Sequence, residues 1–118
     1  MNASPILETS TLPEASGSFS CMVDGVRRAI AYRDIQYIES LENYVKIITD
    51  AKTYITRFTL KEAEEQLPKR LFVRISRSHI VNTTYANVIE SDTIRVGSKE
   101  LRIGKVYKRY VVGQFAGE

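Results

Sequence analysis

Two β-branched and aromatic segments, Tyr44 to Thr49 (YVKIIT) and Thr53 to Phe58 (TYITRF), are separated only by Asp50-Ala51-Lys52. Such segments favour extended, half-buried backbone, and so short a spacer leaves room only for a turn. The chain must double back here as an antiparallel hairpin. The same grammar recurs. Residues 19–23 and 27–32 flank Asp24-Gly25, a tight-turn dipeptide. Residues 34–40 (DIQYIES) alternate, with Ile35, Tyr37 and Glu39 expected on one face and Gln36, Ile38 and Ser40 on the other. Leu71, Val73 and Ile75 alternate with Phe72, Arg74 and Ser76, and predict another strand. Residues 78–86 (SHIVNTTYA) are expected to form a turn or a single helical turn. Residues 87–90, 93–96 and 100–103 complete the set, with Ser91-Asp92 and Gly97-Ser98 at the connections. In the last pair Ile94, Val96, Leu101 and Ile103 can face a core, leaving Arg95 and Arg102 on the opposite face.

The period changes in two places. Thr59-Leu60-Lys61-Glu62 has the form of a capping box, Leu60, Ala63 and Leu67 follow at helical spacing, and Pro68 stops the run. This predicts a helix of about two turns. Its acidic side chains Glu62, Glu64 and Glu65 are expected to point away from any polyanion. Val106/Tyr110 and Tyr107/Val111 stand four apart and permit a terminal helix between Gly104 and about Gln114. The fold class is therefore mainly β: short antiparallel strands in small packed sheets, with one or two short helices. Residues 1–18, rich in Ser, Thr, Pro and Glu, read as a flexible lead or linker. Residues 19–115 read as the domain, and 116–118 as a tail.

A chain of 118 residues, 43% hydrophobic, can bury one core without staples. It has no apolar run long enough to span a bilayer, so no membrane partner is expected. Its N-terminus lacks a basic region followed by an apolar core, so it is not a secretory signal. One cysteine, Cys21, suits a reducing, cytoplasmic setting. The net charge of +3 is unevenly spread. Residues 1–68 hold 7 Lys and Arg against 10 Asp and Glu, a net −3, and residues 69–118 hold 10 against 4, a net +6. A basic half is either a solvated face or an electrostatic footprint for nucleic acid.

Catalytic chemistry finds little support. The only histidine, His79, has no companion, and Ser76 and Ser78 beside it are neighbours in sequence, which does not set nucleophile-and-base geometry. Phosphate-binding glycine loops and a nucleophile elbow are absent from the sequence. Asp34, Glu39 and Glu42 are better explained as solvated residues flanking strands than as metal ligands. No cofactor, no metal and no enzymatic activity are expected. Binding chemistry fares better. Arg77 sits between two serines just after a strand, and its planar fork can bridge guanine O6 and N7 or grip a phosphate. Lys105 stands where a strand gives way to a helix. Asn43 lies in the connection before YVKIIT; it can read adenine, or it is a turn residue tolerating left-handed backbone.

The order of these pieces resembles the LytTR DNA-binding domain family over roughly residues 16–115. The resemblance rests on DIQYIESLENYVKIIT, the short helix ending in AEEQLP, LFVRISRSHIVN and ELRIGKVYKRY. Its strongest piece holds Phe72, Arg74, Arg77-Ser78 and Val81-Asn82. The resemblance implies a bacterial transcription regulator, usually the output domain of a two-component response regulator. Such a domain inserts loops into successive major grooves of double-stranded DNA at promoter direct repeats. Carried over, the base-reading positions fall on Asn43 or Tyr44, on Arg77 and on Lys105. Lys46, Ser78, Arg102 and Arg109 are candidate phosphate contacts by charge and proximity. A receiver domain or histidine-kinase pathway upstream and a homodimer on DNA are implied partners. The sequence departs from the family text twice: Ser76 stands where histidine is usual, and Lys105 replaces an arginine. Lysine lacks the fork, so weaker base discrimination is expected there. Two other readings compete. One is a protein-interaction or dimerisation module of the same fold without DNA. The other is a single-strand or RNA binder using Tyr37, Tyr44, Tyr54 and Phe58 as stacking platforms.

Overall fold

The computed structural model describes residues 17–90 and 92–116. Among the described residues, ten strands form three antiparallel sheets. β1 (Ser18–Val23) and β2 (Val26–Ala31) make a two-stranded ribbon. Asp24 and Gly25 join them with φ of 53° and 78°. Both central residues of this tight turn need positive φ, which Asp tolerates and Gly takes freely. β3 (Ile35–Leu41), β4 (Tyr44–Thr49), β5 (Thr53–Thr56), β6 (Phe72–Arg74) and β7 (His79–Asn82) form a five-stranded sheet in the order β5-β4-β3-β7-β6. β8 (Ala86–Glu90), β9 (Thr93–Val96) and β10 (Lys99–Arg102) form the third sheet.

The five-stranded sheet is buried on both faces. Ile38, Val45, Ile47, Phe72 and Ile80 pack with Phe19, Cys21, Val23 and Ile30 of the ribbon and with Leu60, Ala63 and Leu67. Tyr37, Val73, Ile75 and Val81 pack with Ile94, Val96, Leu101, Ile103 and Val111. Neighbours in sequence thus serve opposite cores: Tyr37 and Ile38, Phe72 and Val73, Ile80 and Val81. Each such side chain contributes roughly 1.5–3 kcal/mol by leaving water.

This double burial overturns two expectations. β3 does not alternate about a single face. A register shift between Ile35 and Tyr37 puts Ile35 in the same core as Ile38, and Tyr37 in the other. Residues 78–86 are not mainly a turn. His79–Asn82 form β7, wedged between β3 and β6, and only residues 83–85 turn. A strand covered on both sides carries consecutive apolar residues, so the alternation that marks a half-exposed strand is missing.

Helix α1 (Leu60–Gln66) begins as expected. Thr59 Oγ1 accepts from the Glu62 amide at 3.1 Å, and the Glu62 carboxylate accepts from the Thr59 amide at 2.9 Å. The terminal helix starts later than its spacing implied. Lys105–Tyr107 form a 3-10 turn, and α2 runs from Lys108 to Ala116. Of the expected lead, residues 1–16 lie outside the described residues, as do 117–118 of the expected tail.

Candidate nucleic-acid interface

Three connections gather at one end of the five-stranded sheet. β3 and β4 are joined by Glu42 and Asn43 alone, between the paired residues Leu41 and Tyr44. Glu42, not Asn43, carries the positive φ, 55°. Asn43 is therefore not there to tolerate left-handed backbone, and it stands exposed beside Tyr44. It shares a shallow groove with Arg57, Phe58, Thr59 and Glu62.

The second connection, from β6 to β7, lies beside the end of β3: the Ser40 amide donates to the Ser78 carbonyl at 2.8 Å. Inside the loop the Ile75 amide donates to the His79 carbonyl at 3.1 Å, and Ser76 Oγ accepts from the Ser78 amide at 3.1 Å. Arg74 reaches under the loop. Its Nε donates to the Ser76 carbonyl at 2.7 Å, Nη2 to the Arg77 carbonyl at 3.1 Å and Nη1 to Glu64 at 2.8 Å. The Arg77 and Ser78 side chains stay exposed at the tip.

The third connection leads from β10 through Gly104 into the Lys105 turn. The Gly104 amide donates to the Ile75 carbonyl at 2.7 Å. A Cβ on Gly104 would lie 3.0 Å from Tyr107 Cδ2 and 3.3 Å from Ser76 Cα. Glycine therefore lets the turn sit directly on the Arg77 loop. The cleft between them is lined by Ser76, Ser78, His79, Arg102, Lys105 and Lys108, with Asp92 at its side. Ile103 and Gly104 complete the lining, and the cations and hydroxyls set around this largely apolar surface are complementary to a phosphate backbone.

The expected phosphate contacts differ in their freedom. Lys46 lies 3.7 Å from Glu39, and Arg102 makes a 3.1 Å ion pair with Asp92 while remaining largely exposed. Ser78 faces the cleft. Arg109 is exposed on α2, but Lys108 is the α2 cation that lines the cleft. Arg57 gave no signal in the sequence, and Lys108 stood in the basic half without being singled out as a phosphate contact; successive residues on a helix point about 100° apart, and only the folded α2 tells which one faces inward. Contrary to the expectation that the acidic side of α1 points away from the interface, Glu64 is bonded to Arg74 and Glu62 lines the Asn43 groove.

His79 is 18% exposed, between Glu39 at 3.5 Å and Ser76 at 3.5 Å. Burial holds its pKa below the ordinary value, while Glu39 opposes part of that shift. Among the described residues, no three His, Cys, Asp or Glu side chains lie together as a metal site would require, and no helix is long and apolar enough to cross a membrane.

The motif that dominated the sequence thus divides in two. Asn82 is fully buried; its amide donates to the Tyr32 and Ile35 carbonyls at 3.2 and 2.8 Å, and its oxygen accepts from the Thr84 amide at 2.9 Å. Asn82, Phe72, Val81 and Arg74 hold the frame, and Arg77 and Ser78 are presented by it. The frame is a small β domain that holds basic loops at one end, with its first helix tied into it. The sequence model of the LytTr DNA-binding domain matches residues 26–113, and the chain belongs to that family. No curated protein sequence matches the chain. A solved structure has the same fold: the LytTr DNA-binding domain of a Bacillus cereus protein described as a methyl-accepting/DNA response regulator. It aligns at TM-score 0.70 and 18% identity, over 85% of this chain and 97% of that one. That family is one of DNA-binding domains.

Proposed function

We propose that this domain binds duplex DNA sequence-specifically as a bacterial transcription regulator, and that its loops read the major groove at promoter direct repeats. Arg77 and Lys105 read bases in one groove, and the Asn43-Tyr44 turn reads in the next. Ser78, Arg102, Arg109 and Lys46 contact phosphates, together with Lys108. The observation that carries this reading is the bond from the Gly104 amide to the Ile75 carbonyl, which sets Lys105 beside the Arg77 loop on an exposed, basic rim. A fork-shaped donor and a point charge side by side suit guanine edges flanked by phosphates. Residues 1–16 act as a linker from a receiver domain, the domain serves a two-component pathway in the cytoplasm, and two copies occupy adjacent repeats.

Selection of bound duplexes from a randomised library, followed by anisotropy titration, tests this. An enriched pair of spaced repeats, bound with an affinity that falls steeply with salt, is the expected outcome. Self-association without duplex binding would favour an interaction module, and preference for the single-stranded oligonucleotide would favour a stacking platform.

A further inference from the structure

Arg74 occupies a position that DNA contact does not explain. Its side chain is only 15% exposed, and all three nitrogens of its fork are engaged within the protein. Two of the acceptors are successive-loop carbonyls, those of Ser76 and Arg77. The third is Glu64, which belongs to α1, a separately capped helix packed in the first core. The guanidinium also lies 5.8 Å from the centre of the Tyr107 ring, within reach of a cation–π contact. Tyr107 closes the 3-10 turn that Lys105 opens, and its amide donates to the Gly104 carbonyl at 2.9 Å. One side chain therefore touches α1, the Arg77 loop and the Lys105 turn.

We propose that Arg74, anchored by Glu64, is a positioning residue for specificity: it sets the Arg77 backbone and its spacing from Lys105. This rests on the reading of Arg77 as a base contact. The physical argument is geometric. A six-residue excursion from Arg74 to His79 has few internal bonds of its own, and base discrimination is lost when a bidentate donor moves by about an ångström. A planar fork holding two carbonyls and a carboxylate at once fixes that excursion, and an ammonium group on one flexible stem cannot reproduce it. Because Glu64 neutralises Arg74, removing both charges together, as in the Arg74→Gln/Glu64→Gln double variant, changes the net field at the interface little, whereas the two single variants shift it by one charge in opposite directions. Loss of the clamp should therefore appear in discrimination more than in non-specific affinity.

The experiment uses the full chain and two readouts, one without DNA. Arg74→Gln should speed amide hydrogen exchange at Ser78 and Gly104 by about tenfold or more, with Ile30 in the distant ribbon unchanged. On the duplex most enriched by the wild type from a randomised library, the same variant should lose about tenfold or more in affinity, against less than about threefold on a scrambled duplex. Added to Arg77→Ala, Arg74→Gln should cause almost no further loss on the enriched duplex, since it acts through Arg77. Arg74→Lys should fall between wild type and Arg74→Gln, and Glu64→Gln should show the same pattern more weakly; these two carry the comparison if Arg74→Gln fails to fold. Unchanged exchange at both amides, equal losses on the two duplexes, or additive losses with Arg77→Ala would each overturn the clamp. A library from which the wild type enriches nothing would overturn the reading of Arg77 as a base contact, and the exchange rates would still decide the clamp.

Discussion

The β3–β4 turn and the β6–β7 loop emerge from the same end of one sheet, yet they are built on opposite plans. The first is two residues long, and its geometry comes from the strands that it joins and from the strained backbone of Glu42. The second is longer and depends on side chains from below, the Arg74 fork and the Ser76 hydroxyl, on a frame that Asn82 ties together at the far end of β7. A short turn inherits its shape from strand register, whereas a longer loop must be held by residues that never meet the ligand. Mutations near the first should act locally. Those near the second should travel through the frame.

The largest way to break this contrast is at the base of β7. Asn82→Leu leaves the Tyr32 and Ile35 carbonyls and the Thr84 amide without their partner. It should cost about 2–4 kcal/mol of stability by urea denaturation, as buried polar groups lose their bonds. Arg77→Ala tests the tip alone: about 1–3 kcal/mol on a selected duplex, a smaller loss on random duplex and an unchanged melting temperature. Equal losses on the two duplexes would make Arg77 a phosphate anchor.

Glu42→Gly should relieve the left-handed strain in the other turn and raise stability by about 0.5–1 kcal/mol, without disturbing the Arg77 loop. A destabilised variant would show that the Glu42 side chain has a role there beyond filling the turn. The smallest effect concerns pH. Folding lowers the His79 pKa below its ordinary 6.5, so the unfolded chain takes up the proton more readily. The stability this contributes is complete above pH 6.5 and is lost as pH falls through the lower folded value. His79→Gln should flatten that part of the stability–pH profile.

Much of this was legible in the sequence because it is local. The Asp24-Gly25 turn, the capping box at Thr59 and the YVKIIT–TYITRF hairpin each follow from a few adjacent residues. Ile94, Val96, Leu101 and Ile103 alternate with exposed Arg95 and Arg102 as expected, because that sheet has only one covered face. Family text then pointed to Arg77 and Lys105 without saying why they should lie together. Residue types and spacing thus determined the class of fold and the basic half of the chain, and the family resemblance implied the candidate readers. Tertiary structure alone decided that β7 is a strand buried on both faces, that Arg74 and Asn82 belong to the frame, and that Lys108 faces the cleft. Turns, caps and periodicity are set by interactions over a few residues. The partners of Arg74, Asn82 and Gly104 lie up to dozens of positions away, and only the packed cores bring them within bonding distance.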